Sequence, residues 1–459
     1  MVLRSAPAGS DSPRLLSGWG RTAPSRAVVV RPGSLDAARE AVASVGSRGV
    51  IPRGLGRSYG DPAQNCGGTV LDTTGLNHIV EFDAESGLAV CEAGVSLDQL
   101  ISRGLSAGWF VPVTPGTRQV TVGGAIAADV HGKNHHELGS FGRHVKALRL
   151  LTADGTVRDV TPRTEPELFW ATVGGMGLTG MILSATVQLI PVESSLVSVR
   201  TDRTPDLDTC MELMADLDAE YPYTVAWLDC LARGRNLGRS VVTCGSFASV
   251  EELPERKRQA PLQFSPGKPI TAPDVFPRQL LNTATVKVFN EFWYRKAPLH
   301  KTGQLQSIST FFHPLDALAE WNRVYGHTGM LQYQFVVPFE QADVVRRVLQ
   351  RISSAGVPSF LTVLKRFGAE SQGYLSFPKP GWTLAMDFPT WIPGLSRLLD
   401  ELDEQVLAAD GRLYLAKDSR MRPEHLSAMY PRLDRFRALR AEVDPEGVFM
   451  SDQARRLAL

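Results

Sequence analysis

Two glycine-dense stretches carry the residue types best suited to chemistry. The first is Arg53-Gly54-Leu55-Gly56-Arg57-Ser58-Tyr59-Gly60-Asp61. The second is Pro115-Gly116-Thr117, followed by Thr121-Val122-Gly123-Gly124 and by Ala128-Asp129-Val130-His131-Gly132. Glycine lets consecutive backbone N–H groups close on an anion and tolerates positive φ. One such loop is commonly a plain turn. Two of them, each set between strands and helices, point to a large phosphate-bearing cofactor, with a helix N-terminus near Val122 adding its partial positive charge. His131, His135 and His136 invite a zinc reading, but Gly132 and Asn134 argue against a helix that would bring the i, i+4 pair together. No metal is expected.

The elements that must position these loops read as α+β. Strands are expected at Ala27–Val30, Val50–Ile51, Thr69–Asp72, Leu88–Gly94, Val145–Leu151 and Gly180–Ile190. Capped helices are expected at 34–45 and 96–107, and an Asp154-Gly155 hairpin turn follows Val145–Leu151. Further on, Leu331–Val337 reads as a strand, and Ala342–Ala355 and Leu395–Ala409 as amphipathic helices. Between about 251 and 301 the chain is rich in proline, charge and aromatics and is expected to be irregular. At 459 residues, two domains are the default. They are placed at 7–195, completed by 413–459, and at 196–412.

The composition, 43% hydrophobic and 21% charged, is that of an ordinary globular protein. A net charge of +1 gives no reason to expect nucleic acid as a partner. No apolar run is long enough for a transmembrane helix, and Met1–Pro24 lacks the apolar stretch of a signal peptide. The five cysteines, 66, 91, 210, 230 and 244, are odd in number and show no Cys-x-x-Cys spacing, so free thiols are expected. The Gly-x-Gly-x-x-Gly fingerprint of nicotinamide dehydrogenases is missing from any strand–helix junction.

The two glycine loops, in this order, resemble the FAD-binding (PCMH-type) domain of the vanillyl-alcohol oxidase/p-cresol methylhydroxylase superfamily. Five strings resemble one family within it, the decaprenylphosphoryl-β-D-ribose 2-oxidases: residues 53–61, His131-Gly132-Lys133-Asn134-His135-His136, Phe169-Trp170-Ala171-Thr172-Val173-Gly174-Gly175, Leu331-Gln332-Tyr333-Gln334-Phe335-Val336 and Ala416-Lys417-Asp418-Ser419-Arg420. The resemblance runs over nearly the whole chain. It implies two α+β domains, the second built on an antiparallel sheet. It also implies FAD-dependent oxidation of a ribose 2-hydroxyl on a polyprenylphosphoryl carrier. A separate NADH-dependent reductase would then complete epimerisation to arabinose for cell-wall arabinan.

By that resemblance the two loops, Ile182 and Tyr414 contact FAD. Many superfamily oxidases tether the flavin through a histidine just before the loop serine. Here that position is Arg57, so FAD is expected to be non-covalent. Lys417 is the first catalytic candidate, either as a cation offsetting developing negative charge or, with its pKa lowered by burial, as a base. Tyr59 and His131 remain alternative proton acceptors. Lys133 is suited to an anionic phosphodiester. Trp227, Gln332, Gln334, Lys365 and Asp387 match substrate-pocket positions. Two departures stand out: Ala385 where mycobacterial members carry cysteine, and Phe312 where relatives carry tyrosine. The resemblance places the protein at the cell envelope, on the periplasmic side, whereas the missing signal and unpaired cysteines suit the cytoplasm. Peripheral membrane contact is expected; segment 251–301, whose aromatic and basic residues fit an interface, reads as touching the bilayer surface, as covering the pocket or as a mobile solvated loop. Competing readings are an oxygen-using polyol or aldonolactone oxidase and a non-catalytic flavoprotein subunit.

Overall fold

Strand Val50–Arg53 delivers the first glycine loop, and its surroundings explain why the loop emerges where it does. In the computed structural model, which describes residues 12–459 apart from Lys268 and Arg278, this strand and Ser25–Val30 each pair in parallel with Thr69–Asp72. Residues 7–11 of the expected first domain lie outside the described residues. Helix Leu35–Ala43, capped by the Ser34 side chain, returns the chain between the parallel strands and buries Ala38, Ala41 and Val42. The loop therefore leaves from the carboxyl end of a parallel strand, where open α/β sheets place ligands.

A five-stranded antiparallel sheet follows, in the spatial order Ile79–Phe82, Leu88–Glu92, Met181–Gln188, Val145–Leu151 and Val157–Val160. Helix Leu97–Leu105 begins with a full capping box between Ser96 and Gln99 and turns Leu97, Leu100, Ile101 and Leu105 inward.

The second half of the chain centres on an eight-stranded antiparallel sheet. Its order is His300–Ser307, Leu196–Thr204, Ser240–Phe247, Tyr223–Leu228, Thr362–Phe367, Gly381–Pro389, Met330–Val337 and Arg412–Leu413. Helices Leu207–Leu217, Asp343–Ala355 and Leu395–Ala408 bury apolar stripes; Val344, Val345, Val348, Leu349 and Ile352 of the second repeat at helical spacing. After Leu413 the chain carries helices Pro423–Met429, Leu433–Val443 and Asp452–Leu457 back to the first half, where Phe449 bridges Val50.

The expectation of an irregular 251–301 segment needs correction. Thr283–Lys296 is a 14-residue helix whose Asn282 and Thr285 form a capping box, and His300 opens the edge strand of the large sheet. Among the described residues, the segment before residue 282 holds only a short helix, Glu255–Arg258, and a two-residue bridge, Ile270–Thr271 with Leu318–Ala319. No helix among the described residues is long and apolar enough to cross a membrane.

Candidate active site

Side chains two apart on a strand share a face, and the register of the large sheet turns that rule into a wall. Thr243 and Val241 pair with Val225 and Trp227, Trp227 with Val363, Val363 with Ala385, and Ala385 with Gln334; Gln332 and Lys365 lie on the same face. All of them line one cavity of about 1060 Å³. Opposite stand the glycine loops. Arg53–Tyr59, Pro115–Thr117, Thr121, Gly123, Gly124, Ala128 and Val130–Lys133 line the cavity, as do Ile182, Phe312, Tyr414 and Lys417. Of the candidate residues, Gly60, Asp61, Val122, Asp129 and Asp387 do not.

Those five have other work. A Cβ at Gly60 would fall on the Asp418 carbonyl oxygen, so glycine lets the first loop press against the loop that carries Lys417. Asp61 accepts two bonds from the Arg456 guanidinium, which also reaches Asp418 at 2.8 Å. Val122 is core. Asp129, held at φ 39°, accepts from the Ser140 and Ser376 hydroxyls and the Gly142 N–H, fixing the turn that presents His131. Asp387 lies directly opposite Gln332 on the neighbouring strand and accepts a hydrogen bond from its amide.

The cofactor wall can be tested for fit. Among the described residues, the N–H groups of Leu55, Gly56, Arg57 and Ser58 donate to no protein acceptor, although the loop faces the cavity. Four consecutive unpartnered donors around a positive-φ glycine, Gly56 at 65°, form the kind of concavity that receives phosphate oxygens. A Cβ at Gly54 would strike the Thr121 hydroxyl, so the two glycine loops lock against each other. The helix at Val122 contributes less than expected. Its first N–H groups are already taken, Val122 by Val95 O, Gly123 by Ala93 O and Gly124 by Thr121 Oγ1. The residues present therefore fit a bound pyrophosphate, held mainly by the first loop. The Arg57 guanidinium carbon lies over Trp19, 4.1 Å from the ring centroid, and the side chain donates to Leu55 O at 2.7 Å. That contact keeps the loop curled.

The chemical wall is crowded with half-buried cations. Lys133, Lys365 and Lys417 all lose hydration, which disfavours the ammonium. Burial and the neighbouring Lys365 bring Lys133 down to about 7, and burial alone brings Lys365 to about 8. Lys417 also falls; burial is the main cause, Asp387 opposes it and Lys365 adds to it. Its Nζ sits 3.7 Å from the centroid of the Tyr59 ring. The same desolvation pushes Asp387 up to about 7 and holds the Tyr59 phenol protonated, well above 10.

His131 is kept neutral by burial and by the nearby Lys365, His135 and Lys417. Its Nδ1 faces Lys365 Nζ at 3.4 Å and its Nε2 faces the Gln334 amide at 3.0 Å. A neutral imidazole has one donor and one acceptor. Each ring nitrogen meets a donor, Lys365 Nζ at Nδ1 and the Gln334 amide nitrogen at Nε2, and that amide nitrogen also donates to Thr383 Oγ1 at 3.3 Å. His135 instead accepts from Gly368 N–H, and His136 reaches Tyr221 O. The three histidines serve three different neighbourhoods. Lys133 donates to the Phe311 carbonyl and lies 4.3 Å from the Phe311 ring centroid. Phe312, where a tyrosine was noted in relatives, packs edge-on to Tyr223 and offers no hydroxyl.

Sequence reading missed the groups that roof the cavity. Asp316 accepts from the Thr117 hydroxyl and the Arg118 N–H, and Glu320 approaches Arg57 at 3.9 Å. These pairings join residues about 200 or more positions apart, and no local pattern announces them. Trp19, framed by Gly18 and Gly20, was the one signal available in the sequence itself.

Comparison with known proteins agrees with this geometry. Residues 26–161 match the model of an FAD binding domain, and residues 331–457 match that of D-arabinono-1,4-lactone oxidase. The chain is 49% identical to the decaprenylphosphoryl-β-D-ribose oxidase of Mycolicibacterium smegmatis, over 97% of each chain. It is 44% identical to an uncharacterized protein of Streptomyces coelicolor, over 80% of this chain and all of the other. It is 24% identical to the L-gulono-1,4-lactone dehydrogenase of Mycobacterium tuberculosis, over 96% and 98% of the two chains.

Proposed function

Because this chain belongs to the decaprenylphosphoryl-β-D-ribose oxidase family of FAD-dependent oxidoreductases, we propose that it removes hydrogen from the ribose 2-hydroxyl of a polyprenylphosphoryl ribose, with Lys417 taking the proton. The single observation that carries this reading is Lys417 itself. It is a half-buried amine with its pKa brought down toward neutrality, set against Tyr59 of the cofactor loop and lining the same cavity as the glycine cradle. FAD, when bound, supplies the hydride acceptor.

The chain's own residues supply the rest. A neutral Lys417 accepts the hydroxyl proton as hydride leaves the carbon, and the ammonium so formed offsets the negative charge transferred with the hydride. Tyr59 stays a phenol and orients the hydroxyl, its oxygen lying 3.3 Å from the Gln332 amide nitrogen. His131 is a weaker base here, because burial disfavours its charged form and whichever ring nitrogen accepts already faces a donor, Lys365 Nζ or the Gln334 amide. Lys133 and Lys365 provide positive charge for the phosphodiester, and Trp227 and Phe312 provide apolar wall. FAD is non-covalent, since Arg57 stands where a tethering histidine would be. Denaturation and filtration should release all of the yellow colour.

The product ketone would pass to a separate NADH-dependent reductase, completing epimerisation at the cell envelope on the periplasmic side. A membrane surface would feed the substrate. Helix Thr283–Lys296 supports this, because Val288 and Phe292 are 72% and 61% exposed beside Lys287 and Lys296, while Phe289 and Trp293 line the cavity. Apolar and basic groups combined in this way suit a lipid interface. Protein that fails to float with anionic liposomes would refute the contact.

The deciding experiment is an anaerobic absorbance scan of the holoenzyme before and after adding polyprenylphosphoryl ribose. Rapid bleaching of the flavin band is expected. No bleaching by the lipid-linked sugar, together with peroxide release on free alditols or lactones, would favour a small-substrate oxidase, the reading suggested by the lactone-oxidase match.

A further inference from the structure

Asp387 poses a problem for any account that stops at the cavity lining. It sits on the cavity-facing side of its strand yet is fully buried behind Gln332. One carboxylate oxygen accepts from the Gln332 amide, and the other, Oδ2, finds no partner among the described residues. A buried carboxylate with one neutral partner is costly, and a well-packed apolar residue would serve the fold better.

What faces it explains the choice. Lys417 from the tail, the Tyr59 hydroxyl from the glycine loop and the Tyr325 hydroxyl from the turn Trp321–Tyr325 are the titratable groups that feel its charge. Tyr325 Oη is likewise buried without a partner. The Asp387 backbone N–H is held by Ser359 Oγ at 3.2 Å and Leu361 O at 3.3 Å, which fixes the main chain from which the carboxylate projects. Gln332 Nε2 meets both Asp387 Oδ1 and, at 3.3 Å, Tyr59 Oη.

We infer that Asp387 is a positioning residue: it fixes the Gln332 carboxamide, and through it the Tyr59 hydroxyl, and it keeps one negative charge beside the Lys417 amine. The inference rests on the reading of Lys417 as proton acceptor. A carboxamide given no charged partner could present either its oxygen or its nitrogen to Tyr59; a carboxylate admits only the nitrogen. The charge has a second effect. Burial and Lys365 both push Lys417 toward the neutral amine, and Asp387 alone pulls it back. The amine therefore remains basic enough to hold the proton it receives.

The test uses the FAD-loaded full chain. Asp387→Asn keeps shape and removes charge. Flavin reduction by polyprenylphosphoryl ribose, followed by rapid mixing across pH, should slow about tenfold or more. The acid limb assigned to Lys417 should move about one unit lower, because a lone amine loses its proton more readily. Asp387→Glu, which restores the charge, should return the limb toward its original position. A limb unmoved in Asp387→Asn, whatever the rate, overturns the inference. If Asp387→Asn does not fold, the reciprocal measurement decides. In Lys417→Met, the protonated-carboxyl infrared band of isotope-labelled aspartate should persist to a pH about one unit higher than in the native protein; an unchanged titration overturns the coupling. If the lipid-linked sugar fails to reduce the native enzyme, the functional reading fails, while the infrared comparison still judges the pairing.

Discussion

On the glycine-loop side of the cavity the inward groups are backbone N–H groups of Leu55 to Ser58, which carry no titratable proton and owe their direction to Gly54 and Gly56. Elsewhere around the cavity the inward groups are Lys365 from the sheet, Lys133 and neutral His131 from the stretch after the second glycine loop, and Lys417 from the tail, all shifted away from their ordinary pKa. The contrast shows a division of labour. Under the proposed function, the cofactor would be gripped by groups whose charge does not depend on pH, and the sugar lipid by groups whose charge does. Mutations and pH should therefore separate the two walls cleanly.

The largest effect belongs to Lys417. Lys417→Ala should slow flavin reduction by the sugar lipid about 10²–10³-fold, the usual cost of deleting one electrostatic catalyst, while FAD content per chain stays constant. Loss of the flavin instead would merge the two walls and break the comparison. The converse substitution is Gly54→Ala. Its Cβ meets Thr121, and overpacking of about 1–3 kcal/mol should weaken FAD binding about 5–150-fold, read by fluorescence titration. The pH profile of whatever holoenzyme remains should be unchanged.

The third test concerns stability. Lys133, near 7, and Lys365, near 8, have folded pKa values below the 10.5 of the unfolded chain. Between those limits the unfolded state holds more protons, so stability rises with pH by up to about 1.4 kcal/mol per unit for each lysine. Below about 7 both states are protonated and the gain vanishes. The melting temperature of the flavin-free protein should climb from pH 7 to about 8.5, before the four buried thiols, pushed up to about 12, begin to reverse the trend; a flat or falling course within that window would show the lysines to be solvated. The smallest effect is a chemical silence. Among the described residues no cysteine lines the cavity, and Ala385 occupies the sheet position nearest Gln334. Thiol-directed electrophiles that enter the cavity should add no mass to any peptide lining it, labelling being confined to the exposed Cys66.

Much of the cofactor wall was legible in the sequence because it is local. A glycine loop after a short β-branched strand, a serine cap and an Asp-Gly hairpin each state their geometry within a few residues. The sheet wall was half legible. The alternation of Gln332 and Gln334 gives a face but not what lies behind it, so Asp387 read as lining when it is in fact a buried support. Helix Thr283–Lys296 escaped because β-branched and aromatic residues blunt its propensity, and its apolar residues Val288 and Phe292 point to solvent, which erases the usual amphipathic stripe. Only the Asn282–Thr285 cap spoke for it. The Arg456 clasp had no local signal at all.

That clasp has a consequence in time. Arg456 joins Asp61 across 395 positions of the chain, and Tyr59 N–H docks on the Ala416 carbonyl at 2.9 Å. On the ribosome the first glycine loop must therefore wait for partners made almost 400 residues later, roughly 20–80 s at ordinary elongation rates of about 5–20 residues per second. During that interval the nascent loop lacks its brace, and secure capture of the cofactor belongs to the moments after synthesis of the tail rather than to its beginning.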